Sequence, residues 1–263
     1  LVLDAVPEAN RLALRLSLDA PRGGVLAALV GLTQRLALRL DGKGDWAQWQ
    51  GRLNATLAAR QVASLDLTAR NGNFTVKGPA ELGAVLGGTA AMLFDATTRV
   101  DLAARLDGRR AALSGSLRSD ALSLAPGGVV DLGESSFDGF KLDFVLLRPA
   151  VLAPNLSGRA LRANLEFQGS FVLPEVQYGM TAEALAMNDI ALEGLVASGK
   201  ARVDTDKVLI PVSARVSRIA GLDSAAGGTL TQVELDGDLA VQGTRILSDN
   251  MRIRSSRIDA KAI

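Results

Sequence analysis

The chain has 263 residues, room for one or two compact domains or one elongated piece, with 48% hydrophobic and 22% charged side chains. Its 29 basic and 28 acidic residues are interspersed and leave a net charge of +1, so no basic stripe marks it for nucleic acid. Histidine and cysteine are both missing, which removes the commonest general base and metal ligand, thiolate chemistry and any disulfide framework.

The chain opens LVLDAVPEAN, with neither an initiator Met nor a basic-then-apolar leader, and it closes on a strand pattern. It reads as an internal segment, 1–263, of a longer protein. No run of 18 apolar residues occurs; the nearest, Leu82 to Phe94, is broken by Gly83, Gly87 and Gly88, so no helix is expected to cross a membrane.

From Arg11 to Asp19 apolar Leu12, Leu14, Leu16 and Leu18 alternate with polar residues. An unbroken period of two predicts a strand with one wet and one dry face, against leucine's helical preference. Pro21 and Gly23-Gly24 stop it, and a short helical break is expected near 21–32. Leu36, Leu38 and Leu40 resume the alternation, followed by GKGDWAQWQG, read as a turn holding both Trp46 and Trp49. Leu53, Ala55 and Leu57, then Leu65 and Leu67, then Phe74 and Val76 predict three more strands, the last two joined at Asn71-Gly72.

Residues 79–94 read as a glycine-broken helical cap over one end of the sheet. Val100, Leu102, Ala104 and Leu106 restart the pattern, Asp107-Gly108 turns it, and Ala111 to Ser119 runs back. Leu122 and Leu124 suggest another crossing before a loop at Gly127-Gly128 and the following Glu-Ser-Ser. Phe140, Leu142, Phe144 and Leu146 alternate next, and Pro149 and Pro154 bracket a third break near 148–157.

Further strands follow through Leu161 to Phe167, Val176 to Ala184, Ile190-Leu192, Ala201-Val203 and Val208, Ile210, Val212, Ala214 and Val216, with a loop over 217–228. Val233, Leu235, Leu239 and Val241 then alternate with Glu234, Asp236 and Asp238, and Met251, Ile253 and Ile258 with arginines. The spacing is too irregular for a fixed repeat. The expected fold is all-β: an elongated, curved antiparallel sheet, a β-taco or U-shaped groove with an apolar concave face and a few short helical breaks.

Burying one Leu or Val is worth roughly 1.5–3 kcal/mol, so the dry face needs a cover. A bilayer would be the cover in an outer-membrane barrel, but such barrels carry aromatic girdles, and aromatics are 4% of this chain. A self-filled sandwich mixes large aromatics with small residues, whereas these strands offer uniform Leu, Val, Ile and Ala. That lining suits acyl chains lying in a groove.

GDWAQWQGRL (44–53), LDFVLLRPAVL (142–152) and LDGDLAVQGTRILSDNMRIRSSRIDA (235–260) together resemble the TamB family, subunits of the translocation and assembly module of Gram-negative bacteria, related to the AsmA-like and bridge-like lipid transfer proteins. The resemblance implies an inner-membrane-anchored periplasmic bridge whose hydrophobic groove carries phospholipids between the two membranes and supports outer-membrane biogenesis. It also implies an outer-membrane barrel partner, TamA, contacted through parts of the full-length protein outside this segment. A different class of function, a chaperone or scaffold receiving client outer-membrane strands by pairing, is the alternative. A self-contained β-solenoid is the third reading. No invariant catalytic motif accompanies the resemblance, and no enzyme and no cofactor is expected.

The alternation assigns the groove lining to Leu12, Leu14, Leu16, Leu18, Leu36, Leu38, Leu40, Val100, Leu102, Leu106, Phe140, Leu142, Phe144, Leu146, Val208, Ile210, Val212, Val216, Val233, Leu235, Leu239 and Val241. Two pairs of carboxylates at i and i+2, Asp204 with Asp206 and Asp236 with Asp238, share a strand face. A hard cation needs six to eight oxygens, so solvated charge is the preferred reading of both. Trp46 and Trp49 are expected to pack over the sheet end. The glycine doublets fit turns rather than any phosphate-binding spacing.

Overall fold

The computed structural model describes residues 2–6, 10–20, 34–95, 97–203, 208–222, 228–242, 245–248, 250 and 251–262. The break expected near 21–32, the Asp204–Asp206 pair and residues 223–227 of the loop expected over 217–228 lie outside these residues. The chain divides into two units, Leu1–Ser123 and Leu124–Ile263.

The first unit is an antiparallel meander of eight strands: β1 (Val2–Val6), β2 (Arg11–Ala20), β3 (Leu36–Gly44), β4 (Gln48–Leu57), β5 (Arg60–Arg70), β6 (Asn73–Ala80), β7 (Thr98–Asp107) and β8 (Arg110–Arg118). Each pairs with its neighbour in sequence. The turns are the ones the residues dictate. Asn71 and Gly72 both take positive φ, +46° and +78°, the geometry of the two-residue hairpin turn whose twist matches its strands.

The second unit begins within β9 (Leu122–Asp131) and continues through β10 (Ser136–Leu146), β11 (Leu156–Arg159), β12 (Leu161–Ser170), β13 (Glu175–Met187), β14 (Ile190–Val203), β15 (Val208–Ala220), β16 (Thr229–Gln242), β17 (Arg245–Leu247), β18 (Met251–Arg254) and β19 (Asp259–Ala262). β10 pairs with β9 and β12, and β12 through β16 pair in sequence. The short β11 extends the line of β12 along β13, and β17 and β18 share the edge of β16. The protein is thus all-β, and its antiparallel sheet is open rather than closed into a barrel.

Three expectations about breaks and turns are corrected. Gly127-Gly128 does not form a loop: β9 runs through it, and the turn falls at 132–135. The reason is close approach, since a Cβ on Gly128 would stand 2.3 Å from the Gly139 carbonyl oxygen, so glycine serves the strand contact here. Trp49 is not in the turn with Trp46 but in β4, because Asp45 tightens the turn to three residues by accepting from the Ala47 and Gln48 amides at 2.8 and 2.6 Å. The loop expected from Ser217 starts later, because β15 runs on to Ala220 with Arg218, Ile219 and Ala220 paired to Thr231, Leu230 and Thr229, whereas the third break holds the one helical turn its prolines bracket, Pro149–Val151, before strand structure returns by Leu156.

The 79–94 segment is shorter than expected, since β6 runs to Ala80 before a 3-10 turn (Leu82–Ala84) and helix α1 (Gly88–Leu93). It covers one end of the first unit, with Ala84 against the buried Ala55, Leu57 and Val62. Its anchor is Ser119, whose buried hydroxyl donates to the Leu93 carbonyl at 2.6 Å and accepts from the Ala121 and Leu122 amides at 3.2 and 3.0 Å. Ser119→Ala leaves these groups buried and unanswered, so it should cost about 1–3 kcal/mol in chemical denaturation. Increased hydrogen exchange in α1 would show that the cap is what loosens.

Candidate functional site

The registers align the apolar positions of the first unit into one face. From β2 to β4, Leu16 opposes Leu40 and Leu40 opposes Leu53; Leu18 opposes Leu38 and Leu38 opposes Ala55. The face continues through Leu65 and Leu67 in β5, Val76 in β6, Val100 and Leu102 in β7, and Leu113 and Leu117 in β8. In the second unit Phe140, Leu142, Phe144 and Leu146 oppose Phe167, Leu165, Ala163 and Leu161. Further on, Val208, Ile210 and Val216 oppose Val241, Leu239 and Val233, with Val212 opposite Gly237 and Leu235 opposite Ala214.

Every residue assigned to the groove lining from alternation therefore lies on the apolar face of its own unit. Within the first unit the structure brings together Leu12, Leu14, Leu16, Leu18, Leu36, Leu38, Leu40, Val100, Leu102 and Leu106; within the second, all the others. Val100, Val216 and Val233 are buried, Leu106 is exposed, and the rest are half-buried. Half-burial leaves on the order of 1 kcal/mol of each leucine's transfer energy unrealised.

Alternation missed residues wherever the strand breaks step. A bulge at Gly139, with φ +65°, returns Phe137 to the face of Phe140, and the two rings stack at 5.7 Å. Phe167 and Phe171 complete the aromatic group, with ring centroids 5.3 and 4.7 Å from Phe137. In β14 and β16, Gly194 and Gln232 take φ of +64° and +52°. Beyond them Leu192, Ile219 and Leu230, aligned in register, join the cluster of Ala182, Leu195, Val216 and Val233. Trp49 lies on the apolar face as well, its indole over Gly42 and Gly51, where any Cβ would meet the ring at 1.9 and 2.4 Å.

The opposite face is charged, and its charges form rows. Across β2 to β7, Arg15, Asp41, Arg52, Asp66, Lys77 and Asp101 oppose one another in turn with alternating sign. Arg15 meets Asp41 at 2.9 Å, Arg52 meets Asp66 at 2.7 Å and Lys77 meets Asp101 at 3.0 Å. Arg215, Glu234, Arg254 and Asp259 form a similar row in β15, β16, β18 and β19. Single exposed pairs stabilise little, but opposed unlike charges penalise a one-residue slip that would turn the leucines outward.

Hydrogen bonds from Arg35, Lys200 and Arg252 hold Asp19, Glu175 and Asp259 below the usual carboxylate range. A depressed carboxylate stabilises the fold above its unfolded pKa, and that contribution is lost as pH falls through the lower folded value. Thermal melts should stay level from neutral pH to about pH 5 and decline below about pH 4. Asp19→Asn, Glu175→Gln and Asp259→Asn together should flatten that acid limb.

The two rims of the first unit differ. The turns at 45–47, 71–72 and 108–109 share one rim, which carries Lys43, Arg70, Arg105 and Arg109 beside exposed Trp46, Phe74 and Leu106. The other rim carries the α1 cap and the closed pairs Arg35–Asp19 and Arg60–Glu81. Asp236 and Asp238 do not converge on a cation position: Asp236 accepts from Ser213 at 3.0 Å and Asp238 from Asn250 at 2.6 Å. Among the described residues no group of three or more metal-ligating side chains occurs. Comparison with family models, curated proteins and solved structures finds no match.

Proposed function

We propose that the protein is a segment of a periplasmic, inner-membrane-anchored bridge that carries phospholipids along its apolar face and thereby supports outer-membrane biogenesis. The observation that carries this reading is the face itself. From β2 to β8 its opposed positions are filled by Leu, Val, Ala and Gly, with Trp49, Phe74, the buried Thr98 and, at the capped rim, Arg60 opposite Leu57 as the exceptions. A face of small and branched aliphatics left half-open matches a fluid guest, because acyl chains need no fixed pocket shape, only continuous apolar contact.

The open rim supports the same reading. Basic side chains beside an exposed tryptophan suit the boundary between acyl chains and phosphate headgroups, while α1 blocks the other end. The guest's tails would lie against the leucines with its headgroup toward the Arg70 and Arg105 rim. The resemblance to TamB adds the periplasmic setting and the barrel partner TamA as parts of the same proposal.

Site-specific photo-crosslinking in the full-length protein tests it. Probes at Leu14, Ile210 and Leu235 should yield phospholipid adducts, and probes at Arg15, Pro211 and Glu234 should not. Protein adducts at both sets, or lipid at neither, would replace the conduit with a scaffold that receives client strands.

A further inference from the structure

We propose that Arg99 and Arg118 form a binding site for a phosphate-class oxyanion on the polar face of the first unit, apart from the apolar face and its basic rim. The two arginines are directly opposed across β7 and β8. Like charges placed opposite one another destabilise a sheet, and the rest of the polar face avoids them. Among the described registers, other charged residues opposed to one another carry unlike signs, except Arg252 and Lys261, and there Asp259 takes up Arg252 with bonds of 2.7 and 3.0 Å.

Arg99 and Arg118 receive no such relief. Neither enters an ion pair or a side-chain hydrogen bond among the described residues. On its other side Arg99 faces Pro79, which brings no charge. The nearby Asp101 is engaged by Lys77 at 3.0 Å. Asp120 also lines the site, leaving Lys77, Arg99 and Arg118 against Asp101 and Asp120, a positive balance.

The pair stands over a depression of about 690 Å³ that Thr97 and the Ser119 segment also line. Two guanidinium forks on adjacent strands, about 5 Å apart at the backbone, can each donate twice to one tetrahedral oxyanion. A bound dianion would cancel the repulsion that the sequence otherwise leaves standing. The phosphate could come from a lipid headgroup or from solution.

The test is a titration of the intact chain with inorganic phosphate against chloride at matched ionic strength, followed by arginine side-chain NMR signals and thermal melting. Phosphate should shift the Arg99 and Arg118 signals saturably and raise Tm beyond chloride. Arg99→Gln or Arg118→Gln should weaken phosphate about tenfold, whereas Arg52→Gln, paired with Asp66 on the same face, should not. Arg118→Glu, which makes the opposition unlike, should raise Tm by about 1–3 °C without phosphate and abolish the phosphate response. An effect no larger than that of chloride, or one that survives both glutamine variants, overturns the site. Flotation with vesicles of phosphatidic acid against phosphatidylcholine then separates the sources. Binding lost with Arg99→Gln identifies a headgroup, and a response to inorganic phosphate alone identifies a soluble anion.

Discussion

Leu14→Asp in β2 and Ile210→Asp in β15 should each reduce phospholipid adducts along their unit by about tenfold or more, while Ser17→Asp and Ser213→Asn on the polar face leave them unchanged. Leu14 and Ile210 are half-buried on the apolar face, and Ser17 and Ser213 are exposed on the other. A carboxylate set among acyl chains loses its hydration without gaining a partner, a penalty of several kcal/mol that binding cannot absorb. The group escapes by taking a proton, so its pKa rises. Adducts in the Asp variants should therefore recover as pH falls, which mere misfolding would not do.

The scaffold reading predicts the reverse pattern. A client strand that adds to the sheet edge bonds to backbone groups, so it would tolerate Leu14→Asp and fail when a proline enters an edge strand such as β19. Adducts that persist undiminished in both Asp variants would sink the lipid conduit.

The alternation that makes the face also made it legible. Leu12 to Leu18 and Val208 to Val216 need no partner strand to declare their side, because a side-chain period of two fixes each face from within the strand. Hairpin chemistry was equally local: Asn71-Gly72 marks its turn through backbone preferences that act within four residues. What could not be read was any step whose cause lies in another strand. Gly127-Gly128 looks like a turn until β10 is beside it, when the 2.3 Å approach to Gly139 explains the glycine. Phe137 looks out of phase with Phe140 until the Gly139 bulge adds its extra residue.

The same limit applies to the apolar face. Val233 was identified, yet Leu230, buried beside it in one cluster, was not, because the left-handed Gln232 shifts the phase between them. Glutamine carries no sequence signal for that conformation, which ordinarily belongs to Gly or Asn. Trp49 was placed at the sheet end because Gly51, two residues on in its own strand, makes room for the ring only together with Gly42 of β3. Only the register puts them under its ring, so a large side chain on one strand fills the space that two glycines vacate on the same face.

Gly199→Val should destabilise the second unit by about 3 kcal/mol or more, whereas Gly127→Val should stay within about 0.5 kcal/mol. Both glycines are in strands and lie outside the left-handed backbone region, so conformational strain does not separate them. Space does. A Cβ on Gly199 would stand 2.0 Å from the Pro211 carbonyl oxygen and 2.6 Å from the Tyr178 hydroxyl oxygen, while one on Gly127 would meet nothing within 4 Å.

Tyr178 crosses above Gly199 from β13 to donate its hydroxyl to that same Pro211 carbonyl at 2.6 Å, bridging two strands that do not pair directly. Valine at 199 must therefore displace both the neighbouring backbone and this bridge. Tyr178→Phe alone removes only the hydroxyl and should cost about 1 kcal/mol. In the double variant Gly199→Val with Tyr178→Phe, the two costs should fall short of adding, since valine has already broken the bond that phenylalanine lacks. Full additivity in denaturant unfolding would mean that the bridge survives valine and that Gly199 is not what lets Tyr178 across.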